Sequence, residues 1–380
     1  MAAAAQPVTW LQRQRHLLER WRDRILSDRR FIDAARRCPL TRPIARRRAR
    51  ALFDLCAGFV YSQVTYACVQ LNLFRILAEG PQTIERLAHT LGLEPERLET
   101  LARAAAALEL IEFRGHAVGL GPLGAALVAN PGIEAMIAHH ALLYADLLDP
   151  IALLKDPAHP TRLSVYWGYS RQDKPLEMEG HAAAAYSALM SASLPLVATE
   201  VLDVYPFHDH RRILDVGGGE GGFLCTIAAT VPHVQGVVFD LPAVIPRTRE
   251  RIARDGLAHR IKTVAGDFLS DPLPRECDLA CLTRVLHDHD DETVMQILRA
   301  VHAALESGAS VLIAEPLSKT RGARPVGDAY FGFYLLAMGR GRPRSAQELG
   351  RMLEAAGFVH VRRVPTLLPL QTGLLHAVRP

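Results

Sequence analysis

"ILDVGGGEGGF", residues 213–223, decides the fold. A short run of strand character, with Asp215 inside it, meets five glycines and one glutamate and then an apolar helix start. Glycine has no Cβ, so such a stretch turns tightly and lets the backbone approach a ligand. Strand, glycine turn and helix in that order open a βαβ unit. The flanking sequence continues the pattern. "RRILDVGG", a helix to Val231, "VQGVVFDLP", a helix to about Leu257, "IKTVAGDF", "CDLACLTRVL", a helix to Leu305 and "SVLIAEPL" alternate strand with helix. "FVHVRRVP" and "GLLHAVRP" read as two closing strands. This alternation predicts an α/β, Rossmann-like domain with a mainly parallel sheet. The texture changes near 195–205. The chain therefore divides into a basic helical arm (1–50), a mainly helical part (51–198) and the α/β part (199–380).

The glycine loop alone leaves its ligand open. Gly217 to Gly222 satisfy G-x-G-x-x-G, the dinucleotide fingerprint. From Asp215 the same residues satisfy D-x-G-x-G-x-G, a loop associated with S-adenosylmethionine (SAM). Glu220 inside the loop disfavours a nearby pyrophosphate. The next strand ends at Asp240, an acceptor for ribose hydroxyls that either cofactor needs. The third strand ends in Asp267-Phe268, an acceptor and a ring for adenine. Asp215 before the loop and Asp267 after the third strand favour SAM over a nicotinamide cofactor.

The remaining bulk properties exclude several classes. The chain of 380 residues is 49% hydrophobic and has room for two domains and a sizeable core. Its first residues lack the basic and apolar regions of a secretory signal, and no apolar run reads as a membrane span, so a cytoplasmic location is expected. The six cysteines form no CxxC pair and read as reduced thiols. Net charge is +4, but residues 11–50 hold 14 arginines against four acids, a balance of +10 that leaves −6 for the rest. Such an arm suits a membrane surface, a nucleic acid or an acidic subunit face, or is a solvated helical face. Residues 11–37 have the spacing of one amphipathic helix, broken by "CPLTRP". Residues 83–130 read as helix, turn, helix and wing, with Thr83 as N-cap, Gly92 as helix stop and "FRGHAVGLGPLGAALV" as the wing. The second helix, taken from Glu94 to Glu112, holds five glutamates and two arginines, so it packs rather than reads phosphate, and no nucleic-acid partner is expected. "HPTRLSVYWGYS" reads as a loop.

Together, "DVGGGEGG", "FDLP", "GDF", "LTRVLHD" and "LIAEP" resemble the class I SAM-dependent O-methyltransferases of the plant-type small-molecule family, which includes caffeate and acetylserotonin methyltransferases. The resemblance covers the α/β part and extends to a winged-helix-like dimerisation domain before it. It implies a seven-stranded, mostly parallel sheet, SAM as cofactor and a homodimer. "PLTRPIARRRARALFDLCAGFVYSQV" and "LLAMGRGRPRS" are similar to the bacterial carotenoid branch, of demethylspheroidene or hydroxyneurosporene type, whose members methylate the tertiary 1-hydroxyl of an acyclic carotenoid. A tetrapyrrole C-methyltransferase would share the fold and cofactor site.

By that resemblance, Gly217, Gly218 and Gly219 line the methionyl part of SAM, Asp240 holds the ribose, Leu241 flanks adenine, and Asp267 and Phe268 bind it. Arg284 faces the cofactor where plant relatives carry lysine. Met190 lies near the reacting centre, His287 is the base and Glu315 orients it. Two positions depart from the family. His289 replaces the tryptophan of His-Asp-Trp, and Pro343 stands where relatives carry a second glutamate, which leaves Glu315 to brace the base alone. An apolar acceptor needs an apolar pocket. Its candidates are Tyr330, Phe331, Phe333, Tyr334 and Met338, with His139, Tyr144 and Met190. "RVLHDHDDE", residues 284–292, has the composition of a metal site, but methyl transfer from a sulfonium needs no metal. Its acids, Asp288 and Asp290 to Glu292, are expected to cap and charge the next helix. The carotenoid is membrane-borne, so the arm is expected to touch anionic lipid at the membrane periphery.

Overall fold

The computed structural model describes residues 10–167, 194–368 and 372–380, with the backbone alone at 11–13. The arm is α1 (Trp10–Ser27), α2 (Arg29–Arg37) and the start of α3 (Arg42–Gln70). The single helix expected over 11–37 is thus two. Asp28 divides them, because its carboxylate accepts the Arg30 amide at 2.8 Å and caps α2. The break at "CPLTRP" holds, with Pro43 in the first turn of α3. By length and composition α3 could cross a membrane, with a mean hydropathy of 1.3 over its most apolar window, which amends the expectation that no segment is long and apolar enough. Cys68 and Val69, at its end, are buried in the helical part. Leu52, Phe53, Leu55, Phe59 and Val60 stand exposed along its middle turns.

After α4 (Leu73–Ala78) comes the winged unit: β1 (Gln82–Thr83), α5 (Ile84–Leu91), α6 (Pro95–Ala107), β2 (Ile111–Arg114) and β3 (Ala117–Leu120), with sheet order β1-β3-β2. Thr83 caps α5 by accepting the Arg86 amide, and Gly92 ends it in the left-handed region at φ +65°. α6 stops at Ala107, so Glu109 lies in a turn and Glu112 in β2 rather than on the helix. The wing ends at Leu120, and "PLGAALV" is a helix, α7 (Pro122–Val128).

Three helices follow, α8 (Pro131–Asp146), α9 (Pro150–Lys155) and α10 (Arg162–Tyr166). α10 occupies the stretch expected to be a loop. Its first turn is capped from a distance: Asp146 accepts the amides of Arg162 and Leu163, and Thr161 accepts that of Ser164 while donating to the Ala337 carbonyl at 2.6 Å. A helix described from 194 to 202 (α11) leads into the α/β part.

There the alternation folds as read. The sheet contains β4 (Arg212–Val216), β5 (Gln235–Asp240), β6 (Ile261–Ala265), β7 (Leu279–Thr283), β8 (Ser310–Glu315), β9 (Val359–Val364) and β10 (Gly373–Val378), in the order β6-β5-β4-β7-β8-β10-β9. Only β10 runs antiparallel to its neighbours. Helices α12 (Gly222–Thr230), α13 (Ile245–Arg254), α14 (Asp291–Ala304), α15 (Phe331–Met338) and α16 (Ala346–Ala355) belong to this part. β7 and β8 are buried throughout, between one core with Val294, Ile297 and Leu298 and another with Phe223, Leu224 and Ile227. Each such Leu or Ile contributes about 1.5–3 kcal/mol of burial. α15 leaves the sheet and packs Tyr334, Leu335 and Met338 against Leu143, Leu163 and Trp167 of the helical part.

Strand order reverses at β4, since β5 lies on one side and β7 on the other. Open α/β sheets bind ligands outside the carboxyl ends of strands at such a switch point. The glycine loop follows β4, and Arg284 to His289 follow β7.

Candidate active site

The glycine loop is shaped by close approach. Gly217 and Gly219 lie in the left-handed region at φ +66° and +58°. The Gly217 amide donates to the Phe239 carbonyl at 2.8 Å, which ties the loop to the neighbouring strand. A Cβ on Gly218 would sit 2.6 Å from Asp215 Oδ2 and 2.9 Å from Val238 Cγ1. Asp240 accepts the amides of Gly219 and Leu241, each at 2.7 Å, and burial pushes its pKa up to about 6 against those bonds. Asp215 is fully buried beneath the loop, and neither of its oxygens has a well-formed hydrogen-bond partner. Burial, then the charge of Asp240, raises its pKa to about 7. A buried carboxyl group beneath the loop, a turn that excludes a side chain at Gly218 and the Asp240 carboxyl at the next strand end fit a cationic ligand with ribose hydroxyls, as SAM is. Gly218→Ala should shift the loop at a cost of about 1–3 kcal/mol, roughly 5- to 150-fold in cofactor affinity by calorimetry.

The other expected cofactor residues sit around this loop. Phe268 follows β6 and meets the His289 ring edge-on at 5.5 Å. Asp267 accepts the Leu269 amide at 2.9 Å, so one of its oxygens already shapes the turn. His289, which replaces the family tryptophan, is buried with Nδ1 unpartnered, and burial lowers its pKa. Arg284 has left-handed backbone, φ +56°, with its amide donating to the Ala314 carbonyl. Its side chain borders a cavity of about 220 Å³ between α8, α11 and the start of α15, together with Ile133, His140, Val197, Tyr330 and Phe331. It therefore faces the apolar cavity between the two parts of the chain rather than the glycine loop alone.

His287 and Glu315, expected to work as a pair, are in contact. His287 lies in a single 3₁₀ turn, Leu286–Asp288, and is buried. Its Nδ1 hydrogen-bonds Glu315 Oε2, at the end of β8. Glu315 Oε1 accepts the amides of Val285 and Leu286 at 2.8 and 2.7 Å, so both carboxylate oxygens are occupied in the interior. The Phe331 ring stands edge-on to His287 at 5.9 Å and joins it to the cavity wall.

Glu315 is not alone. Asp288 Oδ1 lies 3.2 Å from His287 Nε2, so a second acid is present although Pro343 removes the family's glutamate. This also corrects the role expected for Asp288: the cap of α14 is Asp290, which accepts the Thr293 amide at 2.8 Å. Burial works against a charged His287, but Asp288 and Glu315 outweigh it and hold the imidazole pKa above the ordinary 6.5. Asp291, another acid of the same stretch, is bound by Arg342 and Arg344. Among the described residues no three His, Cys, Asp or Glu side chains form a metal-ligating group.

Arg344 is a functional residue that the sequence reading passed over. Its buried guanidinium donates to the carbonyls of Leu286 and His289 at 2.8 and 2.7 Å and so clamps the turn that presents His287. Gly341, at φ +81°, lets the same segment approach: a Cβ there would lie 2.2 Å from the His287 carbonyl. An arginine in an Arg-rich run carries no mark of burial, so only the fold reveals it.

The acceptor candidates divide. Tyr330 and Phe331 line the cavity, and Tyr330 Oη pairs with His140 Nε2 at 2.8 Å. Tyr334 and Met338 do not reach it. Tyr334 Oη is held by Trp167 Nε1 at 2.9 Å and His139 Nε2 at 2.8 Å, and Met338 is buried beside Leu163. Met190 lies outside the described residues. A larger surface cleft between α8 and α10, of about 730 Å³, contains none of the expected site residues.

Comparison with known proteins agrees with this geometry. The O-methyltransferase domain model matches residues 163–359, and the O-methyltransferase dimerisation domain model matches 53–130. Demethylspheroidene O-methyltransferase of Cereibacter sphaeroides is 42% identical over 94% of both chains. The enzyme of that name from Rhodobacter capsulatus is 40% identical over 94% of this chain and 88% of its own. Among solved structures, CalO1, a calicheamicin-biosynthesis methyltransferase in its S-adenosylhomocysteine-bound form, is similar with a TM-score of 0.74 and 26% identity over 88% of this chain and 98% of its own. The switch-point glycine loop, the paired histidine and glutamate and the two matched domains place this chain in the SAM-dependent O-methyltransferase family.

Proposed function

We propose that the chain methylates the tertiary 1-hydroxyl of an acyclic carotenoid, with His287 as general base and without a metal. The observation that carries this reading is the buried His287–Glu315 pair, set against an apolar cavity. The two demethylspheroidene O-methyltransferases, similar over nearly the whole chain, support the acceptor class.

SAM, when bound, supplies an electrophilic methyl carbon. The glycine loop, Asp240, Leu241, Asp267 and Phe268 would hold it. The chain's own residues then have two tasks. Ile133, Val197, Phe331 and their neighbours exclude water and seat the apolar acceptor with its hydroxyl toward His287. His287 removes the hydroxyl proton as the new bond forms, because an aliphatic alcohol is a weak nucleophile while it keeps that proton. With Glu315 as a carboxylate, Oε2 accepts from Nδ1, which would place the imidazole proton there and leave Nε2 to act. Asp288 beside Nε2 stabilises the imidazolium that results. The exposed apolar face of α3, within the matched dimerisation region, supports a homodimer.

Mass spectrometry after incubation with SAM and a 1-hydroxy carotenoid tests the reading, with bacteriochlorophyllide as control. A product heavier by one methylene in the carotenoid arm is expected. Methylation of the bacteriochlorophyllide alone would replace this reading with tetrapyrrole C-methylation. The base must be neutral to accept a proton, and its pKa is raised. kcat/KM should therefore climb with pH through a midpoint above 6.5. Asp288→Asn should move that midpoint down, and a midpoint that stays fixed would remove Asp288 from the role.

A further inference from the structure

The arm carries chemistry that methyl transfer does not use. On α1, Trp10, Leu17, Leu18 and Trp21 fall within about 100° of the helix circumference at 3.6 residues per turn. They are 70, 52, 66 and 66% exposed. At the same spacing, Arg20 and Arg24 border this stripe on one side and Arg15 and Arg22 on the other, with Glu19 and Asp23 opposite it. A water-facing helix has no use for two exposed tryptophans and two leucines in one stripe. An apolar stripe edged by arginine is the pattern of a helix that lies in a membrane interface.

A second feature lies at the corner of α2 and α3. Arg36, Arg37, Arg42 and Arg46 line a cleft of about 550 Å³ floored by Ala45 and Ala49. Arg42 is spread across it, its guanidinium donating to the carbonyls of Arg36 and Arg37 at 3.3 and 3.1 Å. One acid, Asp33, pairs with Arg36 at 3.1 Å. Four guanidinium groups around a cleft with this little counter-charge suit phosphate oxygens.

We propose that the arm docks the enzyme on an anionic lipid surface, the α1 stripe entering the acyl boundary and the α2–α3 cleft taking headgroup phosphates. A nucleic acid would engage the arginines but leave the tryptophan and leucine stripe in water. The matched dimerisation region, residues 53–130, includes neither feature, and a contact with a second copy is one of the outcomes of the test. The arm's chemistry reads the same for any acceptor, so the proposal stands apart from the carotenoid reading.

The test is co-sedimentation of the full chain with phosphatidylglycerol vesicles and with phosphatidylcholine vesicles, at low and high salt. The wild type should sediment with the anionic vesicles and release at high salt. Arg36→Ala with Arg46→Ala should weaken partitioning about fivefold per arginine lost. Leu18→Glu with Trp21→Glu should weaken it by roughly tenfold or more through the apolar stripe. Both variants should keep the oligomeric state by light scattering and wild-type turnover on detergent-dispersed acceptor, which separates failure of docking from failure of the catalytic reading. Equal binding to both vesicle types, or none, would overturn the proposal. So would salt-sensitive binding to duplex DNA without vesicle binding. Loss of the dimer in Leu18→Glu/Trp21→Glu with vesicle binding intact would reassign the stripe to a subunit contact.

Discussion

His287→Ala is expected to lower turnover by about 10²–10⁴-fold while cofactor affinity changes little, because a positioned general base is worth that much in proton transfer. The separation follows from placement. The proposed cofactor residues of the glycine loop, with Asp240, Asp267 and Phe268, stand at or after the ends of β4, β5 and β6, whereas His287 stands after β7 and touches Glu315, Asp288 and Phe331. Removing the imidazole therefore deletes the proton acceptor without disturbing the glycine loop. It also leaves a Glu315 oxygen buried without its donor, a loss of about 1–3 kcal/mol of stability that a melting curve would register. Methyl-transfer assays and calorimetry on the same preparation distinguish the two effects. Turnover within tenfold of wild type would sink the assignment of His287 as base.

Much of this site is legible in the sequence because it stands at strand ends. Strands buried on both faces read as short apolar runs, and glycines or acids mark where they stop. Gly217, Asp240, Asp267, His287 and Glu315 all stand at or just beyond such stops. What the sequence conceals depends on distant partners. α10 reads as a loop because its local cap, Thr161, is joined by Asp146, sixteen residues upstream, and is itself tied to the distant Ala337 carbonyl. Asp28 splits the first helix where no proline announces it. Within "RVLHDHDDE" every acid is a plausible cap, and only the backbone shows that Asp290 caps α14 while Asp288 turns to His287. The aromatic run 328–338 divides in the same way. Its alternation does not say which rings face the cavity, and the helix hands Tyr330 and Phe331 to it while Tyr334 and Met338 go to the core.

Glu315→Gln should keep the fold and lose about 10³–10⁴-fold of turnover, the scale seen when the partner of a catalytic imidazole forces the wrong tautomer. The carboxylate oxygen that receives the Val285 and Leu286 amides must remain an acceptor, so the glutamine carbonyl has to occupy that place. Its NH₂ group then points at His287 Nδ1 and donates where Glu315 accepts. The ring is obliged to carry its proton on Nε2, beside Asp288, where it has no lone pair for the acceptor hydroxyl. Stability should fall by no more than about 1–2 kcal/mol, since the two backbone bonds survive. Glu315→Ala differs: it abandons both amides and the imidazole in the interior, at about 1–3 kcal/mol for each unmet group. Nitrogen NMR of the His287 ring reports the tautomer directly. A Glu315→Gln enzyme with near-normal turnover, or with its ring proton still on Nδ1, would show that Glu315 props up the β7–α14 turn and takes no part in preparing the base.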